Sequence, residues 1–190
     1  ASRNLGSTCK TMNYRWKSWP RKIPAQYTER CSTRILAEFI NLEELQHKYE
    51  SGGLEELAYL KHLKSIHNIR SGYDVSCLTH VEKLDITYPV DNSFAKLHNL
   101  KELKIICNGT EKYLKDLENL SSLRSLECYS TRDVASIVEN LTQLTELNIN
   151  GFPVNNPTYN LRALRNLTSL KLRYAFVDLP TTLPYLVNLK

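Results

Sequence analysis

Leu97-His-Asn-Leu100-Lys-Glu-Leu103-Lys-Ile105 is the stretch that decides the fold. It has the form L-x-x-L-x-x-L-x-L. The form returns as Leu120, Leu123, Leu126, Cys128, as Leu141, Leu144, Leu147, Ile149, and as Leu164, Leu167, Leu170, Leu172. Upstream it reads Leu78, Val81, Leu84, Ile86, with shorter copies at Leu60, Leu63, Ile66 and at Phe39, Leu42, Leu45. A final copy is read at Leu183, Leu186, Leu189. The third anchors are then 45, 66, 84, 103, 126, 147, 170 and 189, at intervals of 21, 18, 19, 23, 21, 23 and 19 residues. Eight ordered copies at a period near 20 mark a solenoid, in which one unit cannot bury its apolar side and stacked neighbours can.

The spacing carries a geometry. In the L-x-L pair, alternate side chains face opposite sides of a strand. Leu147 and Ile149 therefore point into the core, and Glu146, Asn148 and Asn150 point outward. Tyr113–Leu120 and Asp133–Leu141 carry apolar residues at three- and four-residue steps and are expected to be helices on the far side. Each buried leucine contributes roughly 1.5–3 kcal/mol, so several per unit are needed against the entropy of ordering it.

Residues 35–190 resemble the leucine-rich repeat family. The resemblance implies an α/β fold: a right-handed, curved solenoid with parallel strands on its concave face. The family form continues to an asparagine three residues after the last leucine. Asn108 fits that place, but Glu50, Ser71, Pro89, Thr131, Phe152 and Ala175 stand there in the other copies. The asparagine ladder at that turn is thus expected to be largely missing.

The 190 residues carry a formal charge of +5, unevenly placed. Residues 1–34 hold eight basic groups (Arg3, Lys10, Arg15, Lys17, Arg21, Lys22, Arg30, Arg34) against Glu29, a balance of +7, which leaves −2 for the remainder. Leu5, Cys9, Met12 and Trp16 have helical spacing, and Pro20 and Pro24 then force extended chain. Residues 1–34 are expected to form a basic helical cap over the first repeat. Leu5-Gly-Ser-Thr-Cys9-Lys10-Thr-Met-Asn13-Tyr-Arg-Trp16 also resembles the final helix of an F-box. That resemblance implies a substrate receptor of a ubiquitin ligase, held by a Skp-type adaptor through the N-terminal region. The F-box's Leu-Pro-rich opening does not occur in the sequence.

Several classes of chemistry are disfavoured. No phosphate-binding G-x-x-x-x-G-K-[ST] or G-x-G-x-x-G, no H-E-x-x-H and no G-x-S-x-G occurs. Cys9, Cys31, Cys77, Cys107 and Cys128 form no C-x-x-C pair, and His47, His62, His67, His80 and His98 are scattered, so zinc-ligand spacing is absent. Neither cofactor, metal nor catalytic residues are expected. No apolar run approaches the roughly 18 residues of a membrane span, and none resembles a signal peptide at the start. Asn108, Asn119, Asn140 and Asn166 head N-x-[ST] triplets, three of them Asn-Leu-Ser/Thr, which the repeat itself generates. These readings favour free thiols and an intracellular protein, in cytoplasm or nucleus. The finish at Leu189-Lys190, inside a repeat, leads us to expect that the polypeptide continues or that another chain covers this end.

The candidate site is the concave face. Strand alternation places Gln46, Lys48, His67, Ile69, Asp85, Thr87, Lys104, Ile106, Glu127, Tyr129, Asn148, Asn150, Lys171 and Arg173 there. Mixed charge around Ile106 and Tyr129 suits a protein partner, because aromatic and arginine side chains anchor such interfaces. A nucleic-acid surface is more uniformly basic. A structural subunit of a ribonucleoprotein, attached by the basic N-terminus, is the alternative from another class.

Overall fold

A computed structural model describes residues 22–23, 41–46, 54–91, 93–107, 112–130, 134–151, 158–174 and 176–190. Among these residues the main sheet has eight parallel strands in an open row: β1 (Lys22–Ile23), β2 (Glu44–Gln46), β3 (Ser65–Ile69), β4 (Lys83–Thr87), β5 (Glu102–Cys107), β6 (Ser125–Ser130), β7 (Glu146–Asn150) and β9 (Ser169–Arg173). A parallel pair, β8 (Thr158–Tyr159) with β10 (Phe176–Val177), forms a second small sheet.

Backbone hydrogen bonding explains the L-x-x-L spacing. The N–H of one anchor donates to the carbonyl of the anchor three residues before it. Leu57 bonds Leu54, Leu60 bonds Leu57, and Leu63 bonds Leu60, at 3.0, 3.1 and 2.9 Å. The same chain of bonds joins Leu117, Leu120 and Leu123, and again Leu161, Leu164 and Leu167. These are 3₁₀-type turns, in which side chains at i and i+3 eclipse, so every anchor falls on the same side. That side is the core: Leu97, Leu100, Leu103 and Ile105 are buried, as are their counterparts from Leu60 to Leu167.

This geometry also tightens the helices expected from spacing. Over Tyr113–Leu120 run a four-residue α-helix, Lys112–Lys115, and directly after it a 3₁₀ helix, Asp116–Asn119. Of Asp133–Leu141, Ala135–Val138 is helical. A repeat of about 20 residues leaves too few for a longer helix once a strand and two turns are made.

Turns are also tied to one another. The N–H groups of Glu82 and Lys83 both donate to the Lys64 carbonyl, and those of Lys101 and Glu102 to Glu82. Thr168 and Ser169 bond Thr145 in the same way, and Lys190 bonds Thr168 at 3.1 Å. Lys190 is therefore the counterpart of Thr168, and Leu189 that of Leu167. Leu189 is a second anchor, not the third, and the chain stops just before another strand position. At the other end Ile23 pairs with Leu45, which makes Ile23 a third anchor of its own. The sheet thus begins within the basic 1–34 segment, while the helix expected at residues 4–16 lies outside the described residues.

An amide ladder does exist, at a position other than the one expected. The residue before the second anchor donates its side-chain amide to the preceding turn. Asn99 reaches the Thr79 carbonyl, Gln143 that of Leu120, Asn166 that of Thr142 and Asn188 that of Arg165, at 2.8, 3.0, 2.9 and 2.8 Å. These bonds cap carbonyls left free by the tight turns. Asn108 is outside the described residues.

Candidate functional site

The sheet register sets the outward face in three rows that run across the strands. The first is Glu44, Ser65, Lys83, Glu102, Ser125, Glu146 and Ser169. The second begins with Gln46 and His67, which pair, and runs on through Asp85, Lys104, Glu127, Asn148 and Lys171. The third is Thr87, Ile106, Tyr129, Asn150 and Arg173. Twelve of the fourteen residues expected here by alternation therefore share one face.

Of the other two, Lys48 lies outside the described residues, and Ile69 is a correction. It is fully buried and pairs with the core residue Ile86, across a register shift between Ile66 and Ile69. Asn68 takes a left-handed backbone, φ 61°, which adds one residue to the strand and turns Ile69 inward. Strict alternation fails at such a bulge.

Ion pairs along the rows bridge neighbouring strands. Lys83 meets Glu102 at 2.6 Å and Lys104 meets Glu127 at 3.4 Å. Between rows, the His67 ring lies 3.9 Å from the Glu44 carboxylate. The Tyr129 hydroxyl donates to Glu127 at 2.6 Å, and the Lys104 ammonium stands 5.6 Å from the centre of the Tyr129 ring. That hydrogen bond to Glu127, with partial burial and the carboxylate's charge, raises the phenol's pKa against the pull of Lys104 and Arg173. Partial burial opposes the Lys104 charge, but Glu127 and Asp85 outweigh it and raise that pKa as well. Tyr129 is thus neutral, with its hydroxyl bonded to Glu127, the Lys104 ammonium over its ring face and Ile106 beside it on β5.

Two exposed tyrosines were not anticipated. Tyr88 and Tyr174 follow the last residues of β4 and β9 with φ of 51° and 58°, and are 39% and 60% exposed. A bulky residue in the left-handed region is uncommon. The sequence offers only a weak signal for them, an aromatic next to the last outward residue of the strand.

Among the described residues no group of three or more His, Cys, Asp or Glu is placed to hold a metal ion. Among them, too, no helix is long and apolar enough to cross a membrane.

No family model and no curated protein matches the chain by sequence. Solved structures do match in shape. An internalin C2 from Listeria monocytogenes superposes with a TM-score of 0.59 at 20% identity, over 89% of this chain and 78% of its own. Another internalin of that organism gives 0.51 at 21% identity over 83% of this chain, and a leucine-rich repeat protein of Leptospira interrogans gives 0.54 at 20% over 83%. This chain spans 55% and 44% of the length of those two. The chain has the leucine-rich repeat fold.

Proposed function

We propose that this chain is a non-catalytic recognition module that takes a protein partner on the outward face of its sheet, around Ile106 and Tyr129. The observation that carries the reading is the oriented aromatic: Tyr129 is held by Glu127 and Lys104 and sits beside Ile106, which is only partly buried. An immobilised ring loses little entropy on binding, and tyrosine offers apolar area with a polar tip. The leucine-rich repeat fold supports the reading by presenting such a face on a rigid sheet.

The F-box-type and ribonucleoprotein alternatives both rest on residues 1–34, of which the described residues include only Lys22 and Ile23. An intracellular setting is part of the proposal, and the free thiols of Cys77, Cys107 and Cys128 support it.

The test compares capture of one partner, identified by mass spectrometry, by three proteins: the parent chain, Tyr129→Ala with Ile106→Asp, and a chain with Lys10, Arg15, Lys17, Arg21 and Lys22 neutralised. Loss of about 2 kcal/mol or more is expected for the face variant, as for an anchor residue. Loss confined to the N-terminal set, with strong salt dependence, overturns the proposal in favour of the basic segment.

A further inference from the structure

The cations that β4 and β5 put on the outward face each meet a carboxylate on the next strand. Lys83 has Glu102 and Lys104 has Glu127. The pattern breaks at β7, where Asn148 and Asn150 pair with Lys171 and Arg173. In the second row the neutral Asn148 thus stands where earlier strands put Asp85 and Glu127, and in the third row Asn150 gives Arg173 no acid either. Lys171 and Arg173 are both exposed, and neither makes an ion pair among the described residues. The sequence reinforces the break. Beyond Glu146 it has Arg162, Arg165, Lys171, Arg173 and Lys190 against a single acid, Asp178.

Two like charges on one strand face, about 6.6 Å apart along the strand, repel each other unless an anion joins them. An extended chain with carboxylates at alternate positions has the same spacing. Arginine takes a carboxylate bidentately, and an asparagine amide can both donate to and accept from a peptide backbone.

We propose that β7 and β9 form the subsite for an extended acidic segment of the partner, its carboxylates on Lys171 and Arg173 and its backbone against Asn148 and Asn150. The inference rests on the outward face being the recognition surface. A polyphosphate chain fits less well. The strands before β7 put Asp85, Glu102 and Glu127 on the same face, and β7 itself adds Glu146. A long polyanion is held by a more uniformly basic surface than these strands offer, whereas a short acidic segment needs only Lys171 and Arg173.

The experiment titrates labelled peptides against the full chain and follows fluorescence anisotropy. One peptide alternates glutamate with threonine, a second has glutamine in place of glutamate, and oligothymidylate is the third probe. The glutamate peptide is expected to bind about tenfold or more tightly than the glutamine peptide. Lys171→Glu with Arg173→Glu should lose that margin, as removal of two charge-assisted hydrogen bonds implies. Lys83→Glu, and neutralisation of the N-terminal basic residues, should leave it within about twofold, since rim charges contribute little. Equal binding of the two peptides, binding that survives the charge reversal, loss with the N-terminal set, or tighter oligothymidylate binding through Lys171 and Arg173 would each overturn the proposal. Both positions are exposed, so an unchanged thermal midpoint is expected for the reversed chain. Capture of the natural partner separates the two readings. Capture that survives Ile106→Asp overturns the face as a recognition surface. Capture lost with Ile106→Asp but kept by the charge-reversed pair overturns the acidic segment alone.

Discussion

The sulfurs of Cys107 and Cys128 lie 3.7 Å apart, on adjacent strands and inside the core. Their contact, together with complete burial, pushes the Cys128 thiol well above its ordinary pKa. A thiol reagent attacks the thiolate, so Cys128 should react slowly in the native protein. Cys77 is only half-buried, and burial with Glu55 raises its pKa too, yet its access to solvent should make it the faster of the pair. Native-state alkylation read by mass spectrometry is the measurement. Rapid labelling of Cys128 would remove it from the core.

Leu147 and Asn148 are sequence neighbours with opposite fates. Leu147 is 1% exposed, while Asn148 faces outward beside Lys171. Leu147→Ala should cost about 2–5 kcal/mol, the transfer loss plus the cavity left behind. Asn148→Ala should stay within about 0.5 kcal/mol. Urea denaturation of both variants checks the strand register, and equal losses would contradict it.

Gly151 has a steric role that no motif announces. A β-carbon at this position would run into the backbone carbonyl of Ser130. Gly151 also donates its N–H to the Arg173 carbonyl at 3.3 Å, so any displacement pulls on β9. Gly151→Ala should cost about 1–3 kcal/mol as overpacking against backbone. Gly72→Ala is the comparison. Nothing lies near its β-carbon, but φ is +85°, so the penalty there is conformational, about 1 kcal/mol. Thermal unfolding should show the Gly151 variant as the weaker of the two.

His80 occupies the ladder position that Asn99, Asn166 and Asn188 fill elsewhere. Its Nε2 is buried without a partner, and burial, with the nearby Lys61 charge, lowers its pKa from 6.5 despite a bond to the Leu60 backbone. A folded pKa below the unfolded one means that the unfolded chain binds more protons. Stability is then fully present above about pH 6.5 and is lost as pH falls through the window below it. His80→Asn should flatten this part of the pH dependence. Denaturation at about pH 7.5 and about pH 5 is the check, and an identical pH slope in the two proteins would count against it.

Spacing along the chain is enough to read the repeat, most of the core and most of the outward face. Three-residue spacing survives translation into structure because each anchor N–H bonds the carbonyl three residues back, so leucine spacing and turn geometry are the same fact. The period of two within each strand likewise carried Lys104, Ile106, Glu127 and Tyr129 to one side. Tertiary structure decided what depends on contact between turns. It turned Ile69 inward through the left-handed Asn68, and placed the amide ladder at Asn99, Gln143, Asn166 and Asn188, where carbonyls of the preceding turn are left open. It put Ile23 beside Leu45, and showed Leu189 to stand where Leu167 does. It also brought Asn148 and Asn150, not acids, beside Lys171 and Arg173. Periodicity is local and is written along the chain, whereas the register between turns is settled only when backbone bonds and packed side chains choose which residues meet.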